Sequence, residues 1–577
     1  MPGSEEFVQR TVHALEVGAL AVWVKRCLFA AVIAAIAVAY LYQFHGFAVS
    51  QAMDQAQIGR ALAGGHGWQT SVIRPRAIGQ LLSHHKNVPQ KIWSDTYNAP
   101  LPPLVDAIAL LPVKAHWKMS PREFVYAGDR AIAVISVLLF AASLVVLFLT
   151  ASRLFDRKLG LLACGLVLLC DMMWQYSFSG LPQMLLLLLF NATVYALVRA
   201  VEAQYQGESP RIWLAAIGVG FGLLGLAHAL TLWIFAATLI FAFFLFRPRL
   251  WSTGIVLATF AVVYFPWLVR NFLISGNPGG VAIYSVLDGI GHSEAGWMRR
   301  ISVSFEGVGP AAFRDKVFTN LITQSGHIFQ YFGLSVVAVM FFAALLYRFK
   351  RPEAAIIRWM LLVMWGGAVL GMAVYGINEE QGLAANQLHF VFMPIMTCYG
   401  LAYLLVQWRR LQIELRLARI AFVTLLYLLC AGPMIFTLLS PSHTLVRWPP
   451  YMAPLIAVLN DWMKREEITA SDMPWAVAWY AGRRSLWLPQ TIKDFTELSD
   501  YNVLGGPING LYLTPISGAD NTYRDITKGE YRDWAPVIQR TFDAEKFPLK
   551  WGTLGLGLEG ECMFLSDHDR QKGTATP

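Results

Sequence analysis

The chain has 577 residues, of which 56% are hydrophobic and 14% charged, and it carries a formal net charge of +9. A soluble protein of this size carries about a quarter charged residues, so the composition excludes a soluble globular chain and points to a polytopic membrane protein. The positive charge does not indicate nucleic acid, because Lys and Arg cluster in short segments between apolar runs, where the positive-inside rule places them.

A helix needs roughly 20 apolar residues to cross a bilayer. Eleven runs near that length occur, at about 27–46, 129–151, 160–178, 181–199, 212–228, 230–246, 252–270, 331–349, 355–375, 388–407 and 420–440. The third and fourth abut closely, as do the fifth and sixth, so each pair also reads as one long kinked segment. Lys25/Arg26, Arg153/Arg157/Lys158, Arg199/Arg211, Arg247/Arg249, Arg348/Lys350/Arg351/Arg358 and Arg409/Arg410/Arg416/Arg419 occupy alternate connections. That alternation predicts a cytoplasmic N-terminus, with 47–128, 271–330, 376–387 and everything after 440 outside the cytoplasm. The N-terminus has no short apolar core followed by a small-residue cleavage site, so the first span is expected to stay as an anchor.

After the first span, Ser50 suits a helix cap and Gly64-Gly65 a helix end, predicting a helix to about Ala63 with Asp54 in its first turn. The helix dipole alone accounts for an acid there. The same segment carries Trp68, Trp93, Tyr97, Trp117 and Pro100-Leu-Pro-Pro103. Long ordered loops are commonly functional, although Trp and Tyr also anchor membrane interfaces. Asp95 and Tyr97 beside the Pro-rich element are candidates for an acceptor pocket, with a turn before proline as the plain alternative. His84-His85-Lys86 has no third or fourth ligand at a recognisable spacing.

Further along, Asp171 and His228 are ionisable residues inside or between spans, a functional signal by default. Asp171 lies near a Trp174-Gln-Tyr176 interface where water contact is expected, and His228 falls near a surface between two short spans. Arg270 stands at the outer end of the seventh span, where positive-inside counting does not favour a cation. It suits either a phosphate or a snorkelling interfacial side chain. Arg299 and Arg300 read as a solvated charge pair, with a basic funnel as the sharper alternative. Five of the six cysteines, Cys27, Cys164, Cys170, Cys398 and Cys430, lie in or beside apolar runs, and Cys562 stands in a polar tail, so no disulfide framework or zinc spacing emerges. The tail from 441 to 577 returns to Asp, Glu, Gly and Pro. Tyr451–Glu467 has apolar residues at helical spacing, whereas 475–480, 485–488 and 511–514 read as short strands, predicting a small α/β domain. The last ten residues are polar.

Several of these features occur together in one known family. An acid just after the first span, a helix closing in a Gly-rich turn, Tyr97-Asn-Ala-Pro-Leu-Pro-Pro-Leu104, Ser177-Phe-Ser-Gly-Leu-Pro182, Phe265-Pro-Trp-Leu-Val-Arg-Asn271 and Gly276-Asn-Pro278 resemble the membrane glycosyltransferases of the GT-C class. The similarity is to the branch of the protein O-mannosyltransferases and the lipid A aminoarabinose transferase, over most of 27–280 and the overall layout. It implies a mainly α, polytopic fold of about 11 spans, with residues 1–440 as the membrane domain and 441–577 as a soluble extracytoplasmic domain. It further implies transfer of a sugar from a polyprenyl-phosphate donor to a lipid, glycan or protein acceptor at the outer face of a bacterial inner membrane.

The resemblance maps the family's acid onto Asp54, as general base or acceptor-orienting group. It makes Asp95 and Tyr97 candidates for substrate binding and Arg270 and His389 candidates for the carrier phosphate. A phosphate leaves without protonation, so one carboxylate activating the acceptor suffices and predicts single displacement with inversion, unlike a two-carboxylate retaining scheme. This sequence departs from the pattern in two places. Gln55 follows Asp54 where many relatives have a second acid, so no cofactor is certain, and a divalent metal stays an open alternative without an adjacent acid pair to support it. Asn386-Gln-Leu-His-Phe-Val-Phe-Met-Pro394 replaces a basic-aromatic pair, leaving His389 as the only candidate there, with an interfacial histidine as the alternative. Two other functions compete: a transporter or flippase, whose signature is inverted repeats and paired intramembrane charges, and a non-catalytic membrane protein with a binding tail.

Overall fold

A computed structural model describes residues 19–120, 122–290, 296–302, 308–413, 415–440, 453–517, 523, 526–539, 541, 547–554 and 562–570. Tyr451, where a helix was expected to begin, and residues 571–577 of the polar end lie outside the described residues. Helix α1 (Ala19–Gln43) leads into α2 (Ser50–Ala63), β1 (Gln69–Thr70), β2 (Val72–Ile73), α3 (Pro75–Ser83), β3 (Trp93–Ser94) and α4 (Leu101–Leu110). The helical body follows as α5 (Ala127–Leu154), α6 (Arg157–Leu168), α7 (Asp171–Phe178), α8 (Gln183–Tyr205), α9 (Arg211–Ala227), α10 (Thr231–Leu245) and α11 (Arg249–Ser275). It continues through α12 (Pro310–Gly326), α13 (Ile328–Tyr331), α14 (Val336–Ala344), α15 (Pro352–Tyr375), the hairpin β4 (Glu379–Glu380) and β5 (Leu383–Ala384), α16 (His389–Arg410) and α17 (Arg416–Leu439).

Among the described residues, seven helices (α1, α5, α8, α11, α15, α16 and α17) contain stretches long and apolar enough to cross a membrane, and α6 with α7 passes the same test as a pair bent by 59°. The chain is an integral membrane protein. Helices α9 and α10 are apolar but shorter. The run at 331–349 yields only the nine residues of α14, because Gly333 and Leu334 take positive φ and break the helix after α13. The bend between α6 and α7 falls where Asp171 begins the second helix. Its carboxylate accepts from Tyr40 Oη at 2.5 Å, Gln175 Nε2 at 2.6 Å and Thr437 Oγ1 at 2.9 Å. Protein donors on α1, α7 and α17 thus replace the expected water, because a buried carboxylate must be hydrogen-bonded.

The tail adds β6 (Ile468–Ser471), β7 (Arg484–Trp487), α18 (Ile492–Asp500), β8 (Gly510–Leu513), β9 (Trp551–Leu554) and β10 (Met563–Ser566). Residues 475–480 are not a strand. Pro474 opens a helical turn that continues as a wider turn over Val477–Ala481, since proline presets the first helical φ and residues 476–481 are buried without alternation. The expected helix over 451–467 is two short pieces, Ala453–Ala457 and Leu459–Trp462.

The sheet contains a strand from outside the tail. Its order is β2-β7-β6-β8-β10-β9, with β2 parallel to β7 in the register Val72↔Ser485 and Ile73↔Leu486. Ile73, Ile78, Leu81 and Trp93 share the hydrophobic cluster of Ile468, Leu486, Phe495 and Leu511. A fully buried aliphatic side chain contributes about 1.5–3 kcal/mol, so the segment after the first span and the tail stabilise each other. Arg60 on α2 reinforces the joint, donating to the carbonyls of Trp479 at 2.7 Å and Ala478 at 2.6 Å. Arg299 does the same from the loop after α11. It is fully buried, donates to the carbonyls of Leu488, Glu530 and Pro489 and lies 3.6 Å from the centre of the Tyr531 ring. The expected solvated charge is a strut, because five N–H donors let one guanidinium satisfy several orphan carbonyls.

Candidate active site

Helix α2 carries Asp54 inward. Its span agrees with the expected one, but Ser50 is the first helical residue and Val49 precedes it without a side-chain cap. Glu380 on β4 supplies the missing acceptor: its carboxylate receives the Ser50 amide at 2.7 Å and the Ser50 hydroxyl at 2.6 Å. An anion is favourable at a helix N-terminus. Asp54 therefore lies beyond the first turn, which contains no acid, and the helix dipole no longer explains it, since that effect fades within one turn. Gly59 lets α2 approach α4: a Cβ there would sit 2.7 Å from Asp106 Cβ and 3.0 Å from the Pro103 carbonyl. The Pro-rich element is the first turn of α4, with Pro at the start of the helix.

Asp54 is 2% exposed and its two oxygens have different surroundings. Oδ2 receives Arg74 Nη2 at 2.5 Å and Asn98 Nδ2 at 2.6 Å. Oδ1 is buried and has no hydrogen-bond partner among the described residues. Arg74 occupies the residue between β2 and Pro75, in extended conformation, as the residue before a proline prefers. Its other Nη lies 3.8 Å from Asp95, and its guanidinium sits 3.9 Å from the centre of the Tyr97 ring. Asp95 in turn accepts the Asn98 amide at 2.8 Å. Sheet pairing of β2 with the tail thus sets Arg74, and Arg74 sets Asp54.

These groups border a cavity of about 460 Å3. Its walls include Asp54, Arg74, Thr96, Tyr97 and Asn98, then Tyr264, Trp267, Leu268 and Asn271 from the end of α11, and Asp288 from the loop that follows. His228 between α9 and α10, Glu380 and Asn386 near the hairpin, and Trp475 and Trp487 of the tail complete it. Gly280 (φ +61°) holds the loop after α11 against residue 96: Val281 N donates to Thr96 O at 3.1 Å, and a Cβ at Gly280 would fall 2.1 Å from that oxygen.

Of the residues singled out from sequence, Asp54, Asp95, Tyr97 and Arg270 are brought together and His389 is not. Tyr97 lines the cavity, and Asp95 lies buried behind Arg74. Arg270 lies 4.3 Å from the centre of the Trp267 ring and donates through Nη1 to the Asp95 carbonyl at 2.7 Å and to Asn271 Oδ1 at 3.0 Å. The His389 ring stacks on Tyr331 at 5.3 Å, its Nδ1 accepts from Trp365 at 3.0 Å and its Nε2 lies 3.2 Å from Gln324. These partners hold it inside the helical body. Arg74, Asn98, Asp288, Glu380, Trp475 and Trp487 were not legible in advance. Arg74 had one usable signal, a cation between a short apolar pair and a helix-starting proline.

Among the described residues no group of three or more His, Cys, Asp or Glu is placed to hold a metal ion. Arg74 already neutralises Asp54, and Gln55 adds no carboxylate, so the described residues around Asp54 do not fit a divalent cation.

Burial pushes the carboxyls of Asp95 and Asp288 up to about 6. A raised folded-state value means that the folded protein binds the proton more tightly than the unfolded chain. Stability from that proton is present at low pH and is lost as pH rises from about 4 to about 6. Asp95→Asn, which mimics the protonated form, is therefore expected to raise the unfolding midpoint relative to wild type more at pH 7.5 than at pH 5. Thermal unfolding of the two proteins at both pH values checks this. An equal difference at both would contradict it.

The comparisons with known proteins agree with this architecture. Residues 124–269 match the family model of dolichyl-phosphate-mannose-protein mannosyltransferase. ArnT from Cupriavidus metallidurans in the apo state is similar in structure, with a TM-score of 0.55 at 14% identity, covering 97% of this chain and 100% of that one. The same protein bound to undecaprenyl phosphate gives a TM-score of 0.54 at 12% identity, covering 95% and 98%. The Archaeoglobus fulgidus oligosaccharyltransferase in complex with Zn and sulfate gives 0.54 at 12% identity, covering 88% of this chain and 70% of that one. No curated protein matches this chain in sequence. The chain thus has the fold of the GT-C class of membrane glycosyltransferases, and over residues 124–269 it also resembles the protein mannosyltransferases in sequence.

Proposed function

We propose that the protein transfers a sugar from a polyprenyl-phosphate donor to an acceptor hydroxyl at the extracytoplasmic face of a bacterial inner membrane, with inversion at the anomeric carbon. The observation that carries this reading is Asp54: one oxygen is held by Arg74 and Asn98, the other has no hydrogen-bond partner among the described residues, and the residue borders a cavity bounded by the end of a membrane-length helix. A general base needs a free lone pair on an oriented carboxylate. In the step itself, the acceptor oxygen forms a bond to the anomeric carbon and its proton passes to Asp54 Oδ1. The bond from that carbon to the phosphate oxygen breaks, and its electron pair leaves on polyprenyl phosphate.

Trp267 lines the cavity, and Arg270, whose guanidinium lies 4.3 Å from the centre of that ring, is the proposed partner of the lipid-borne phosphate. Nη1 of Arg270 is engaged, and the fork of a guanidinium leaves Nε and Nη2 to bind phosphate oxygens. Tyr97 and Asp95 position Arg74. The acceptor is assigned to the part of the cavity walled by the tail residues Trp475 and Trp487.

The purified protein, given a labelled polyprenyl-phosphate sugar, is expected to release polyprenyl phosphate and to label an acceptor. Flux of lipid or sugar across a vesicle without bond cleavage would replace this reading with transport.

A further inference from the structure

Two tryptophans of the tail face the cavity, and the reaction step above uses neither. Trp475 follows the helix-starting Pro474, and Trp487 ends β7; their rings are 5.4 Å apart at 85°. In a stretch whose neighbours are almost all buried, both remain half-exposed and both line the space that Asp54 borders. Trp487 is anchored through its indole. The Trp487 indole N–H donates to the Tyr531 hydroxyl at 3.3 Å, and that ring is covered by the buried Arg299. On the same cavity stand the carboxylates of Asp288 and Glu380, with Asp288 Oδ1 accepting the Trp297 amide at 3.3 Å.

Large aromatic faces left partly open in a cavity with convergent polar groups mark a ligand wall. A pyranose ring fits this one. Its C–H face packs against an indole face, its hydroxyls donate to carboxylates, and two indoles at right angles form a corner that a flat or extended ligand does not fill. The position identifies which sugar. A polyprenyl chain is confined to the membrane, and α11, a membrane-length helix with Val262, Phe265, Phe272 and Leu273 exposed, ends on this cavity. The two tryptophans wall it from the tail instead.

We propose that Trp475 and Trp487 form the platform for a pyranose ring of the acceptor, which makes the acceptor a glycan or glycolipid and not a peptide; the assignment rests on the glycosyl-transfer reading above.

The test is saturation-transfer NMR on the full-length protein in detergent. The probes are methyl pyranosides of gluco, galacto and manno configuration, with sorbitol and a blocked threonine dipeptide as controls. Saturation is expected on the ring C–H protons of at least one pyranoside and not on the controls. It should fall about five-fold in Trp475→Leu and Trp487→Leu, as loss of one stacking contact implies, and persist in Trp475→Phe, Trp487→Phe and Asp54→Asn. A wild-type pyranoside signal no stronger than that of sorbitol, an equal signal in the leucine variants, or a stronger signal from the dipeptide would overturn the platform. The wild-type contrast decides even if a leucine variant fails to fold. Binding needs no turnover, so pyranoside binding without donor cleavage would sink the transfer reading and leave the sugar platform standing.

Discussion

Asp54→Asn is expected to lower the rate of polyprenyl phosphate release about 10²–10⁴-fold, the range a positioned general base contributes. Asparagine keeps the size of the side chain, and its carbonyl oxygen can still face Arg74 and Asn98. What disappears is the lone pair of the free oxygen that would take the acceptor proton. The loss corresponds to about 3–5 kcal/mol of transition-state stabilisation at 1.36 kcal/mol per decade. The substitution also removes a counter-charge from Arg74, which is 5% exposed, so unfolding has to be followed alongside the rate. Donor affinity should be little changed, because Arg270 and Trp267 remain. A variant that is folded, binds donor and still turns over within about two-fold of wild type would remove Asp54 from the mechanism.

Arg74→Ala is expected to be the most damaging substitution for the fold near the site. The ion pair with Asp54 spans 2.5 Å and both side chains are at most 5% exposed. Removing one member of a buried pair costs about 3–5 kcal/mol, because the remaining charge stays buried without a partner. Arg74 also faces Asp95 at 3.8 Å and Tyr97 at 3.9 Å, so its loss releases both walls of the Asp54 pocket. Arg74→Lys separates the two effects. It keeps the charge but not the planar fork, and a displacement of about 1 Å at a reacting group costs on the order of 10²-fold in rate. The lysine variant should therefore fold with a near-normal midpoint and turn over about 10–100-fold more slowly. The double variant Asp54→Asn/Arg74→Gln should recover much of the stability lost in Arg74→Ala and none of the activity. If Arg74→Ala melts and turns over like wild type, the pair orients nothing.

Asp54 and Arg270 drew attention in the sequence for different reasons: Asp54 is an acid just after the first span in a segment that resembles the GT-C enzymes, and Arg270 is a cation at the end of a span where positive-inside counting disfavours one. Arg74, Asn98 and Glu380 break no such rule. Arg74 precedes a proline, Asn98 sits in a turn and Glu380 belongs to a two-residue strand, and each of those settings is common without function. Their meaning comes from partners far away in sequence: Arg74 reaches back 20 residues to Asp54, and Glu380 crosses 330 to cap α2. Residues 475–480 misled for a related reason. From residue 476 to 481 the segment is buried throughout and has no face, so periodicity could not separate strand from helical turn, and Pro474 decided it.

By itself the sequence determined what depends on local composition: a mainly helical chain with several membrane-length apolar helices, though seven or eight pass among the described residues where eleven runs were read, and the length of α2. Hydropathy and turn chemistry act over a few residues, so a linear reading captures them. Only the tertiary structure decided that β2 joins the tail's sheet, that this pairing sets Arg74 against Asp54, that His389 stays inside the helical body and that two tail tryptophans close the cavity. Each of these depends on which buried polar or apolar group finds its complement across hundreds of residues, and the complement becomes unique only when the chain has packed.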